Sequence, residues 1–296
     1  MKVIIGSRGS DLALWQANHV KSRLETLGAE VEIKVIKTQG DKIQNIGFDK
    51  MEGKGFFTKE IEEALLSKEV DLAVHSHKDL ETTNPEGLII AAVSEREDPS
   101  ELLLIRKESI DTDRPFALKE GAVVGTSSAR RKSQLLAMLP DIEIKDLRGN
   151  VPTRINKLRD GQYDAILAAS AGVTRLGLDI SDLDATAIDP REFIPAPAQG
   201  VLGLQIRKGE DELFQLVNQL NDEEVEARIA IERGVLKTFN GGCQLPLGVF
   251  CEKEGDTYEV WSAMAETWDG ALKRDHIKTT SLEGLVDGIV ERLKKN

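Results

Sequence analysis

Hydrophobic and polar positions alternate along the first two thirds of the chain in the way that is typical of an α/β protein. Short apolar runs at 3–5, 31–37 and 70–75 predict strands, and the segment 10–27 has the apolar spacing of a helix. The polar stretch Glu95-Arg96-Glu97-Asp98-Pro99 interrupts this pattern, after which it resumes. The pattern therefore predicts two α/β units.

The second unit has its own strands and helices. Strands are predicted at about 102–106, 122–125, 143–145 and 165–168, with helices that start near Ser128, Asn150 and Ser170. A proline-containing interruption at 194–200 precedes one more strand at 202–206, which suggests that the chain leaves the first domain and returns to it. We expect domain 1 to comprise 1–96 and 195–209, domain 2 to comprise 97–194, and domain 3 to comprise 210–296.

The last part of the chain has an α+β pattern. It predicts two helices, at about 210–220 and 222–239, followed by a cysteine-containing loop at 241–248. Three strands, at about 247–251, 258–265 and 271–279, and a final helix at about 281–294 complete the pattern. Ser281 is the predicted N-cap of the final helix.

Composition and charge limit the classes of function. The chain has 296 residues, 40% of them hydrophobic, and a net charge of −12, which argues against a nucleic-acid ligand. A pocket lined with arginine can still be locally positive and bind small anions. We find no signal-like or membrane-spanning run, so we expect a cytoplasmic protein with Cys243 and Cys251 both reduced.

Three arginine-bearing loops lie where a predicted strand ends and a helix begins, at 6–10, 125–131 and 148–154. Each combines free backbone N–H groups with hydroxyl and guanidinium groups, which together suit a carboxylate or phosphate. For any single loop the alternative is that the arginine is simply a solvated surface residue. This alternative is less favoured when three such loops occur together. Arg130 and Arg131 point about 100° apart on a helix, so by geometry alone one could face solvent.

Asp79 follows an apolar strand and is a candidate general acid, general base or counter-ion for a cation formed in a reaction. The alternative is a structural carboxylate that pairs with Lys78 or caps the next turn. His75 and His77 could chelate zinc from one face of a strand, but nothing nearby completes a recognisable ligand set. We therefore expect no metal.

Cys243 lies in a loop where Gly241 and Gly242 leave room for a bulky electrophile and Pro246 stiffens the exit. Such a loop could present a thiol as an attachment point. A buried structural cysteine beside a turn is the alternative.

Together these motifs resemble the hydroxymethylbilane synthase family, also called porphobilinogen deaminases, essentially from end to end. The resemblance rests on Leu12-Ala13-Leu14-Trp15-Gln16, Gly53-Lys54-Gly55-Phe56-Phe57, His75-Ser76 with Lys78-Asp79, Arg96-Glu97-Asp98, Gly125-Thr126-Ser127-Ser128 with Arg130-Arg131, Leu147-Arg148-Gly149-Asn150, Gln199-Gly200 and Gly241-Gly242-Cys243-Gln244.

The resemblance implies a fold and an activity. The fold is two α/β lobes like the halves of a type II periplasmic binding protein, plus a small C-terminal α+β domain. The activity is that of a monomeric transferase, which joins four porphobilinogen molecules head to tail with loss of ammonia. The growing chain is held on a dipyrromethane cofactor bound to Cys243 by a thioether, and hydrolysis releases hydroxymethylbilane.

The resemblance also implies roles for individual residues. Asp79 is the catalytic carboxylate. The cofactor is bound by Lys78, Thr126, Ser128, Arg130, Arg131 and Arg148. The substrate is bound by Arg8, Ser10, Arg154 and Arg175, and a loop over the site carries Lys54 and Phe57.

Some positions depart from the family pattern. Asp11 and Glu81 stand where proline is common, and Ala196-Pro197-Ala198 replaces a more usual valine-glycine. A soluble carboxylate-binding module with the same two lobes is the competing interpretation, and an inactive relative is a third. Cys243 and Asp79 distinguish the enzyme, because a binding module needs neither.

Overall fold

The computed structural model describes residues 1–38, 58–241 and 245–295, and three sheets organise this part of the chain. The strands are β1 (Lys2–Ser7), β2 (Glu30–Val35), β3 (Leu72–Ser76), β4 (Leu88–Val93), β5 (Glu101–Ile105), β6 (Val123–Gly125), β7 (Glu143–Lys145), β8 (Ala165–Ala169), β9 (Asp184–Ile188), β10 (Leu202–Arg207), β11 (Leu247–Glu254), β12 (Thr257–Met264) and β13 (Lys273–Thr279). The helices are α1 (Asp11–Thr26), α2 (Lys59–Leu66), α3 (Ala129–Met138), α4 (Val151–Arg159), α5 (Ser170–Leu176), α6 (Asp211–Val217), α7 (Glu223–Thr238) and α8 (Leu285–Lys295).

The first lobe is built on the sheet β2-β1-β3-β10-β4. β1 pairs in parallel with β2 and β3, whereas β10 lies antiparallel between β3 and β4. The chain therefore completes this sheet only after it has built the second one. The domain limits stay a prediction.

The second lobe is built on the sheet β7-β6-β8-β5-β9. Its core includes Leu103, Val124, Leu135 and Leu167, which come from three strands and α3. The sequence pattern missed β9, because this edge strand buries only Ile188 fully and so lacks an apolar alternation.

The third domain packs α7 and α8 against the antiparallel sheet β11-β12-β13. The prediction that Ser281 is the N-cap of the final helix is wrong. Gly284 has a φ of +67°, and α8 begins at Leu285. The Ser281 hydroxyl instead accepts a hydrogen bond from the Glu283 N–H at 3.2 Å, within the preceding turn.

This arrangement confirms two α/β lobes followed by a small α+β domain. Two segments cross between the lobes, one leading from β4 into β5 and the other from β9 into β10. Within the described ranges, none of the helices is both long and apolar enough to cross a bilayer.

Candidate active site

Arg130 and Arg131 share one buried carboxylate. Ser128 caps α3, and the first turn of this helix carries both arginines. Arg130 Nη2 lies 2.6 Å from Glu101 Oε1, and Arg131 Nη2 lies 2.6 Å from Glu101 Oε2. Both arginines are 6% exposed and Glu101 is fully buried. Burial alone would raise the pKa of Glu101, but Arg131 and Arg130 outweigh it and lower the pKa to about 2.

A glutamine joins this cluster to the first lobe. Lys78 Nζ donates a hydrogen bond to Gln199 Oε1 at 3.0 Å, and Gln199 Nε2 donates to Glu101 Oε1 at 3.1 Å. Burial lowers the pKa of Lys78 to about 8, and the charges of Arg131 and Arg130 add to the effect. Lys78 of the first lobe is therefore linked to the arginine pair of the second lobe through Gln199 and Glu101.

Asp79 belongs to the same electrostatic cluster. It ends a one-turn 3-10 helix, His77–Asp79, directly after β3, and its side chain is exposed. Burial lowers the pKa of Arg154 to about 10, and Arg131 and Arg148 lower it further, whereas Asp79 opposes them. A carboxylate from the first lobe thus interacts with cations from the second.

The predicted hydroxyl ligands shape the loops that carry the arginines. Thr126 is buried, and its Oγ1 accepts a hydrogen bond from the Ser128 N–H at 3.3 Å. The Oγ of Ser128 accepts from the Arg131 N–H at 3.4 Å, and the Oγ of Ser10 accepts from the Ala13 N–H at 3.4 Å. These side chains begin α3 and α1 in the manner of N-caps.

Two further predicted residues lie in other surroundings. Arg8 is close enough to His75 to lower the pKa of that imidazole. Arg175 donates from Nη2 to the Gly200 carbonyl at 2.7 Å, and its guanidinium lies 5.7 Å from the centre of the Trp15 ring. It borders a cavity of about 120 Å³ beside the interlobe crossing.

The two histidines of the Lys-Asp element are buried and uncharged near neutral pH. Burial is the main cause, and it lowers the pKa of His75 to about 4 and that of His77 to about 3. His75 Nε2 lies 3.2 Å from Gln205 Oε1. Gln205 Nε2 in turn donates to Glu62 Oε1 at 3.1 Å. His75 thus belongs to a buried hydrogen-bonded row, and the described residues contain no group of three or more potential metal ligands around it.

A buried glutamate anchors the third domain to both interlobe crossings. Glu232 on α7 forms an ion pair with Arg96 at 2.6 Å. It also accepts hydrogen bonds from the Ala198 N–H at 2.7 Å and the Cys251 N–H at 2.9 Å. Burial, reinforced by Glu232, raises the pKa of Cys251 to about 12, so this cysteine stays a thiol.

Three predicted residues, Cys243, Lys54 and Phe57, lie outside the described residues. The described flank of the cysteine loop is closely packed. A Cβ on Gly241 would lie 2.6 Å from Leu245 Cδ2, so a larger residue at this position would require the Leu245 side chain to shift.

The cationic cluster fits a group that carries carboxylates, as a dipyrromethane does. Lys78, Arg131, Arg148 and Arg154 are close enough to disfavour one another's charge. Carboxylates of a bound ligand would relieve this repulsion and accept charge-assisted hydrogen bonds.

Sequence reasoning missed the residues that organise this site. Glu101 and Glu232 belong to no recognisable motif. Gln199 belongs to the motif Gln199-Gly200, but the motif does not indicate which residues Gln199 contacts. Glu101 begins a strand and Glu232 lies within a helix, and neither glutamate can be recognised from the sequence until its arginine partner, about thirty residues away or more, is known.

A family model and several curated relatives match this chain and point to the same family. A family model described as porphobilinogen deaminase, dipyromethane cofactor binding domain, matches residues 3–215. A porphobilinogen deaminase of a Nitratiruptor species is 49% identical over 249 residues, which are 84% of this chain and 78% of that protein. One of Nitratidesulfovibrio vulgaris is 45% identical over 287 residues, or 95% of this chain and 87% of that protein. A probable porphobilinogen deaminase of Methanocella arvoryzae is 46% identical over 256 residues, or 86% and 82%.

Proposed function

The chain belongs to the porphobilinogen deaminase family, and on this premise we propose how its own residues carry out the reaction. The enzyme is a transferase that joins four porphobilinogen molecules head to tail, releases ammonia at each addition, and frees hydroxymethylbilane by hydrolysis. The observation that carries the assignment of the site is the exposed Asp79 carboxylate among cations from both lobes.

The cationic cluster binds the carboxylates of the substrate and the growing chain. Porphobilinogen has an acetate and a propionate, so each addition brings two more negative charges into the cleft. Arg148, Arg154 and Lys78 are half-buried, and Arg154 and Lys78 both lie within electrostatic range of Asp79, so we assign charge-assisted hydrogen bonds with those groups to these three residues. A protein of net charge −12 therefore holds a poly-anion through a local concentration of positive charge.

Arg130 and Arg131 contribute mainly by position. Because each already donates to Glu101, they are held rigidly and supply a fixed positive field at the start of α3. A preorganised field of this kind binds an anion without reorganising at the moment of reaction.

Asp79 acts on the reacting pyrrole. Its carboxylate accepts the pyrrole N–H hydrogen bond and stabilises the cation that develops as the C–N bond of the substrate breaks. The substrate amine is protonated when the C–N bond breaks, so the bond's electron pair leaves with nitrogen as ammonia. A C–C bond then forms between the cationic methylene carbon and the free α-carbon of the preceding ring, and the α-proton of that ring passes to a base. We propose Asp79 as that base.

The dipyrromethane cofactor supplies the first free pyrrole α-carbon and a covalent anchor for the chain. We assign its thioether to Cys243, and we assign Lys54 and Phe57 to a segment over the site.

The net charge of −12 supports a small-molecule enzyme that does not bind nucleic acid. We propose that it works as a monomer in the cytoplasm.

The experiment compares Asp79→Ala with the native enzyme and with Asp256→Ala, a control at an exposed hairpin turn. Porphobilinogen consumption and release of the tetrapyrrole are measured at saturating substrate. We expect kcat of Asp79→Ala to fall about 10²- to 10⁴-fold, the range for loss of a general acid or base, with the cofactor still attached. Near-native turnover would remove Asp79 from the mechanism. Binding of porphobilinogen without turnover by the native protein would support a binding module instead.

A further inference from the structure

Arg233, on helix α7 of the third domain, reaches the segment of the first lobe that carries Lys78 and Asp79. Its Nη1 donates to the carbonyls of His77 at 3.1 Å and Leu80 at 3.3 Å. Its Nη2 donates to the carbonyl of Leu80 at 3.3 Å and to that of Glu81 at 2.6 Å. The guanidinium therefore holds the backbone on both sides of Lys78 and Asp79.

Two of these three carbonyls, those of Leu80 and Glu81, follow a helical turn, whereas the His77 carbonyl also accepts from the Leu80 N–H at 3.2 Å. Residues 77–79 form a single 3-10 turn, and the chain becomes extended at Leu80. Carbonyl groups at the end of a helical turn have no partner further along it, and a planar guanidinium can satisfy several at once. The positive charge of Arg233 also interacts favourably with the partial negative charge at the carbonyl end of the turn. The same charge is the second-largest cause, after burial, of the lowered pKa of His77.

The contact to Glu81 bears on the rigidity of this loop. Proline often follows the Lys-Asp element in the family pattern, and this chain has Glu81 there. Proline would have restricted the backbone directly. Here the shortest of the four hydrogen bonds from Arg233 ends on the Glu81 carbonyl, so a long-range contact restrains the same position.

We propose that Arg233 is a positioning residue that sets the Asp79 carboxylate relative to the third domain; this inference rests on the proposed function. The neighbouring Glu232 fixes α7 to both interlobe crossings. The chain then runs from α7 into the cysteine loop within a few residues. One helix thus contacts both interlobe crossings, through Glu232, and the backbone that carries Asp79, through Arg233.

The test uses the holoenzymes of Arg233→Met and Arg233→Lys. Arg228→Met is the matched control, because Arg228 lies on the same helix and the hydrogen bond that it donates among the described residues, to the Glu224 carbonyl at 3.3 Å, stays within that helix. We expect Arg233→Met to lower kcat about 100-fold, the cost of a displacement of roughly 1 Å, with a change in KM of less than about threefold. Lysine keeps the charge but cannot bridge three carbonyls, so we expect Arg233→Lys to lose only about tenfold.

A second measurement separates positioning from general destabilisation. In an Asp79→Glu background the carboxylate is already displaced, so Arg233→Met should lower kcat there by much less than in the native background. An equal fold-loss in both backgrounds, or native kcat in Arg233→Met, would overturn the proposal. If Arg233→Met does not give folded holoenzyme, native kcat in Arg233→Lys would overturn it instead. If the native enzyme and Arg228→Met both fail to convert porphobilinogen, the proposed function fails as well.

Discussion

Replacing Glu101 with glutamine is the sharpest test of the buried cluster behind the site. The native carboxylate accepts a 2.6 Å hydrogen bond from each of two arginines and is fully buried. Glutamine keeps the shape but offers one acceptor oxygen and one donor NH₂ group. The NH₂ group would then face a guanidinium donor, and both arginines would lose their counter-ion.

Two independent arguments give the magnitude. The pKa of Glu101 falls from 4.5 to about 2, and at about 1.4 kcal/mol per pKa unit this corresponds to a preference for the ionised form of about 3–4 kcal/mol. Removing one partner from a buried ion pair typically costs about 3–5 kcal/mol, because the remaining charge stays buried. We therefore expect Glu101→Gln to lower the free energy of unfolding by about 3–5 kcal/mol.

The assay is chemical denaturation at pH 7 followed by far-ultraviolet circular dichroism. The control is Glu259→Gln, which removes a carboxylate that pairs with His276 and Lys278 on an exposed sheet face. Exposed pairs contribute at most about 1 kcal/mol. If Glu101→Gln loses no more than this control, the two arginines do not depend on Glu101 and the account of the cluster is wrong.

Two further predictions concern the ligand site and pH. Arg148→Leu should reduce cofactor loading or raise KM for porphobilinogen at least about tenfold, because a charge-assisted hydrogen bond contributes roughly 1.5–3 kcal/mol. Unchanged loading and kinetics would mean that Arg148 does not contact the cofactor or the substrate. In the folded protein His77 is neutral, with a pKa of about 3, whereas in the unfolded chain it becomes protonated near pH 6.5. Because the unfolded state then binds the extra proton, the free energy of unfolding should fall by about 2 kcal/mol as the pH is lowered from 7 to 5. Denaturation curves at the two pH values should show a smaller loss of stability in His77→Gln than in the native protein, and an unchanged loss in His276→Gln, the exposed control. A loss in His77→Gln equal to that of the native protein would contradict the assignment.

Local patterns in the sequence were sufficient for most of the fold. Apolar spacing predicted the strands and helices of both lobes, because those elements bury one face or both. It failed at β9, a largely exposed edge strand, and at Ser281, where a glycine with positive φ delays the final helix to Leu285. Neither feature produces an apolar period.

The site could be predicted only as far as it follows from short motifs. Helix geometry allowed Arg130 and Arg131 to diverge by about 100°, yet both are buried because Glu101 presents one carboxylate oxygen to each. The contacts from Arg233 to Leu80 and Glu81 join residues more than 150 positions apart. Tertiary packing decides such pairs, and no local spacing reports them.

The attachment of the cofactor to Cys243 is the central claim, and the intact mass of the denatured protein tests it most directly. Peptide mapping around Cys243 accompanies the measurement. The account predicts an excess over the chain mass equal to two linked pyrrole rings, located on the peptide that contains Cys243. A bare chain mass that persists after incubation with porphobilinogen, or an excess located on the peptide that contains Cys251, would contradict it.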